Sequence, residues 1–102
     1  MKLYNKLVRD KIPEIMIFNG VTPVTETLND SDYIAALEKK LNEEVDEYHN
    51  DKNIEELADI LEVVYALCEA QDYTLEDLKN TYEKKHAERG GFSEKIFLVG
   101  EE

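Results

Sequence analysis

Apolar residues recur at helical spacing over most of the chain. Tyr33, Ile34, Leu37, Leu41, Val45 and Tyr48 trace one stripe, ending near His49. After a polar break at Asn50 to Lys52, a second helical stretch runs from Ile54 to about residue 71. From Leu57 to Cys68 it is apolar almost all round, the signature of a buried helix, with Cys68 as core filler. Leu75, Leu78 and Tyr82 mark a third stripe. The pattern predicts long antiparallel helices near 31–49 and 54–71 and a third near 75–88. Asn29, Asp30 and Ser31 can each cap the first, and Ser31 sits at the predicted boundary. Asn53 can cap the second, with Glu56 in capping-box position, and Thr74 with Asp77 opens the third.

The flanks read differently. Pro13 suits the first turn of a short helix ending near Phe18, with Ile12, Ile15 and Met16 as its buried side and Asn19-Gly20 as its stop. Val21 to Leu28 alternates with Pro23 inside, so it reads as extended, an edge strand at best. Gly90-Gly91 is a natural C-cap, and Phe92 to Val99 reads as an extended tail whose Ile96, Leu98 and Val99 can pack or pair. The fold class expected is mainly all-α, a helical bundle with short extended N- and C-terminal segments, forming a single domain over residues 1–102.

Charge narrows the partners. The net charge of -12 disfavours nucleic acid polymers and anionic membrane surfaces. Cys68, the single cysteine, fits a reducing cytoplasm, and no apolar run is long enough for a membrane span. A third of the 12 basic residues, Lys2, Lys6, Arg9 and Lys11, lie in the first eleven positions. They either meet phosphates or pair with the acidic body, and Leu3, Leu7 and Val8 suggest that this arm packs on something.

The candidate chemistry lies where the first two long helices meet. Glu43, Glu44 and Glu47 fall within roughly a 100° arc of one helix, and Glu56 and Asp59 share a face of the next. Leu37, Leu41, Glu44 and Tyr48 follow a core-seam rhythm, so Glu44 occupies a position where a bundle wants Leu. The alternative, that these acids simply mark a solvated helix face, stays open beside a cation site. Packed carboxylates repel and take up protons unless a cation compensates them, and hard divalent ions prefer such oxygen donors. Glu62 projects near Asp59 as a further candidate. His49 and His86 are isolated and do not suggest zinc. Lys39 and Lys40 read as lying away from the acidic face, which leaves the counter-charge for a phosphate to a metal and the two ends of the chain.

Glu43-Glu44-x-x-Glu47 followed by Glu56-x-x-Asp59 resembles the EExxE…ExxD signature of the all-α nucleotide pyrophosphohydrolases, the MazG and phosphoribosyl-ATP pyrophosphohydrolase group. The run Tyr4-Asn5-Lys6-Leu7-Val8-Arg9-Asp10-Lys11-Ile12-Pro13 and the sequence Arg89-Gly90-Gly91-Phe92 resemble the ends of a short MazG-like branch. The gap between Glu47 and Glu56 is shorter than in the classical members. The resemblance implies Mg2+, with Mn2+ as the alternative ion, and hydrolysis of a nucleoside triphosphate or related nucleotide to the monophosphate and pyrophosphate in a house-cleaning or nucleotide-pool role. It implies Glu43, Glu44, Glu47, Glu56 and Asp59 as metal ligands, Glu44 and Glu56 as catalytic groups, and Lys6, Arg9, Lys84 and Arg89 as phosphate-binding cations. Arg9 and Arg89 are expected to serve the nucleotide and leave metal binding unaffected. A homodimer or tetramer is expected, because the apolar second helix needs more cover than three helices provide. The alternative functions are a catalytically silent nucleotide-binding or regulatory module and a structural oligomerisation domain.

Overall fold

Asn29, rather than Ser31, begins the first long helix: its extended backbone turns the side chain to accept the Asp32 N–H at 2.8 Å. The computed structural model describes residues 1–102 as four helices and no strand. They are α1 (Ile12–Phe18), α2 (Asp30–Asp51), α3 (Ile54–Ala70) and α4 (Leu75–Arg89). The chain is therefore all-α, as its periodicity predicts. Pro13 lies in the first turn of α1, where its missing N–H costs nothing. Ile15 of that helix is 48% exposed, so its apolar side is only partly covered.

The break between α2 and α3 is tighter than expected. Helix α2 continues through Asp51 and stops at Lys52, which adopts a left-handed conformation (φ 49°, ψ 41°) and donates its N–H to the Tyr48 carbonyl. Asn53 then caps α3 by accepting from the Glu56 N–H at 3.0 Å. So short a connection folds α3 back along α2, and this pair forms the body of the structure. Leu37 of α2 and Val63 and Cys68 of α3 are its buried apolar residues. Helix α4 leans more lightly on α3. Its start is fixed by a full capping box between Thr74 and Asp77, and the Thr74 backbone N–H, with help from its side chain, holds the Asp77 carboxyl below its ordinary pKa. Gly90 ends it at φ 80°, a conformation that other residues rarely adopt.

Within one chain α3 is not the buried helix its composition predicts. Leu57, Leu61 and Tyr65 remain 49%, 47% and 36% exposed. Ile96, Leu98 and Val99 of the C-terminal tail also stay exposed. The physical reason is a shortage of partners: α2 covers one side of α3, and α4 covers little of the other. The radius of gyration is 17.9 Å, against about 13 Å for a compact chain of this length. The accessible surface is 9406 Å², where a compact monomer of this mass exposes about 5,900 Å².

Candidate metal centre

The fold-back of α3 on α2 brings the two acidic sets together. Glu44 and Glu47 of α2 and Glu56 and Asp59 of α3 each place a carboxylate oxygen within 4.8 Å of the others. Glu44 is the most enclosed at 6% exposure; Glu56 and Asp59 are half-buried and Glu47 is exposed. Opposite ligands of an octahedral Mg2+ lie about 4.2 Å apart, so a contraction of a few tenths of an ångström would fit one ion. Two oxygens, Glu44 Oε2 and Glu56 Oε2, are buried without a hydrogen-bond partner. Native proteins rarely leave such groups unsatisfied, and buried acceptor-only oxygens on two members of one acidic cluster fit a cation.

The local sequence explains why Glu56 points there. The Asn53–Glu56 cap is one-way: Asn53 accepts from the Glu56 backbone, and the reciprocal bond that completes a capping box is made only at α4. The Glu56 carboxylate is thus free for the cluster. Its pKa is raised, first by desolvation and then by the charges of Glu47, Asp51, Asp59 and Glu44. Glu44 is raised as well. Burial is the main cause, Glu47 adds to it, and Lys40 opposes it.

Not every predicted ligand joins the cluster. Glu43, about 100° around the helix from Glu44, lies apart from the four and faces Lys40 at 4.0 Å. Glu62 lines the adjoining groove. Of the proposed phosphate-binding cations, Arg9 reaches the site: its Nη2 donates to Asp59 Oδ1 at 2.7 Å. Lys6 instead lies over the Tyr4 ring, 5.6 Å from the centroid. Lys84 and Arg89, on α4, are not among the residues that line the groove.

Lys40 corrects the sequence reading. Its ammonium is 3.3 Å from Glu44 Oε1, and its side chain is only 21% exposed. The i, i+4 spacing carries that signal, because it stacks two side chains one turn apart on the same face. The N-terminal arm, from Leu7 to Lys11, lies across α2 and α3 beside the cluster, so a groove opens between Arg9, Lys40, Glu44, Asp59 and Tyr33. The structure thus holds both cations and carboxylates at one locus.

No protein-family model matches the sequence, and no solved structure matches it. A stretch of 42 residues, 41% of this chain, is 57% identical to an uncharacterized protein of Mycolicibacterium smegmatis and covers 43% of that protein. The match thus spans less than half the length of that curated relative. No helix is long and apolar enough to cross a membrane.

Proposed function

We propose that this chain is a Mg2+-dependent nucleotide pyrophosphohydrolase, with Mn2+ as the alternative ion. Its substrate is a nucleoside triphosphate or related nucleotide, and its products are the monophosphate and pyrophosphate. The observation that carries this reading is the four-carboxylate cluster with two buried, unpartnered oxygens. The resemblance of the acidic signature and of both chain ends to the MazG-like group supports the same chemistry.

Glu44, Glu47, Glu56 and Asp59 would hold the ion. Bound there, Mg2+ supplies charge neutralisation for phosphate oxygens and Lewis-acid activation of water. Glu56 would serve either as a ligand or as the base that takes a proton from an attacking water. Glu44 orients the site from its buried position, and Arg9 lies where it can meet a phosphate.

The partner beyond the nucleotide is a second copy of the chain. The exposed Leu61 and Tyr65 of α3 and Leu75 and Tyr82 of α4 line one largely apolar groove, with Leu57 exposed one turn before Leu61. The accessible surface exceeds that of a compact monomer by about 3,500 Å² per chain, part of which a second copy would cover.

Phosphorus NMR of a panel of nucleoside triphosphates tests the function. The expected result is pyrophosphate and monophosphate with Mg2+ and neither with EDTA. Nucleotide binding without turnover would make the chain a silent regulatory module instead.

A further inference from the structure

We propose that Arg9 and Lys40 form an exchangeable cationic latch. They neutralise the acidic cluster until a divalent cation displaces them, and they then turn to an oxyanion of the phosphate class. This rests on the metal-site reading above and extends it to two residues that are not ligands.

Three observations carry it. First, the two cations contact two different members of the cluster from two different segments: Arg9 of the N-terminal arm meets Asp59 at 2.7 Å, and Lys40 of α2 meets Glu44 at 3.3 Å. Second, the Lys40 pairing does not satisfy its carboxylate fully. Glu44 Oε2 remains buried and unpartnered while Oε1 faces Lys40. A monovalent side chain neutralises one oxygen where a divalent ion can be shared by several. Third, both cations line the same groove, so a ligand entering it meets them together.

The exchange follows from charge. An ammonium 3.3 Å from a carboxylate and a metal on that carboxylate repel each other, so the metal weakens the Lys40–Glu44 and Arg9–Asp59 pairs. Both side chains are long and end in donors only. Once released, they need an acceptor, and a phosphate oxygen bound beside the metal supplies one. Arg9 can donate to it bidentately, and Lys40 acts as a point charge. The latch therefore couples metal and anion: each binds better after the other.

The test compares wild type with Arg9→Ala, Lys40→Met and Lys39→Met, all in the full chain, with circular dichroism to verify helicity. Lys39 is the neighbouring lysine, with no ion pair to the cluster. Calorimetry measures Mn2+ alone, then inorganic pyrophosphate at saturating Mn2+. Without its competitor the metal should bind roughly two- to fivefold more tightly in Arg9→Ala, whose pair is exposed, and roughly tenfold in Lys40→Met, whose pair is enclosed. Pyrophosphate should bind more weakly in both by about fivefold or more. Lys39→Met should match wild type in both titrations. Lys40→Gln, which keeps a polar side chain, should behave as Lys40→Met and serves in its place if the latter fails to fold. Unchanged Mn2+ affinity in Arg9→Ala and Lys40→Met, an equal gain in Lys39→Met, or undiminished pyrophosphate binding overturns the latch and leaves the metal site standing. Absence of Mn2+ binding by wild type overturns both.

Discussion

Replacing Glu44 with Leu should stabilise the metal-free protein while abolishing its function. The side chain sits at a core-seam position between Leu37, Leu41 and Tyr48 and is 6% exposed. Burying a Leu there instead is worth about 1.5–3 kcal/mol. Losing the enclosed Lys40–Glu44 pair costs about 1.4 kcal/mol, the tenfold effect assigned to it above, and Lys40 keeps Glu43 as a neighbour at 4.0 Å. Relief of the unpartnered Oε2 and of repulsion from Glu47 adds in the same direction. A net gain near 1.5 kcal/mol raises Tm by roughly 6–12 °C for a domain of this size. Thermal unfolding in EDTA at fixed protein concentration measures it, and a Mn2+ titration of the same sample should show binding lost. Destabilisation by about 1 kcal/mol or more, with Mn2+ binding retained, would mean that Glu44 is a structural partner of Lys40, and the reasoning would fail.

Two further outcomes follow from the same geometry. The raised pKa values of Glu44 and Glu56 mean that the folded state holds protons that the unfolded state has released. Their contribution in EDTA is destabilising above the raised values and fades as pH falls toward the ordinary 4.5, so acidification through that window should raise stability and added Mg2+ should flatten the profile; a melt series in which stability falls throughout the window contradicts the assignment. Light scattering should give at least twice the 11.8 kDa chain mass, with association tightened by salt that screens the net charge of -12; Leu61→Glu or Tyr82→Glu should reduce the mass, and a wild-type monomer at micromolar concentration refutes the apolar-face argument.

The helices were legible because each local signal agreed with the apolar period. Asn53 and Thr74 cap where their spacing places them, and Pro13 and Gly90 bound their helices as expected. Ser31 loses to Asn29 because several cap-competent residues stand together, and backbone geometry decides among them. Four of the five acids converge, since a two-residue turn fixes how α3 meets α2; Glu43 diverges through its own rotation on α2. The second helix looked buried from composition alone, but composition does not say whether the cover comes from the same chain. Lys40 stands one turn before Glu44, and that i, i+4 spacing by itself puts it in the site. The reach of Arg9 to Asp59, fifty residues away, depends on the path of the arm, which no local pattern encodes.

The central claim is that Glu44, Glu47, Glu56 and Asp59 hold a divalent cation. Anomalous diffraction at the manganese edge, from crystals grown with Mn2+, tests it most directly. The account predicts a peak bonded to oxygens of these four side chains, with Glu44 Oε2 and Glu56 Oε2 among the ligands. A map with no peak at the cluster at saturating Mn2+, and with Arg9 and Lys40 still on Asp59 and Glu44, would contradict it.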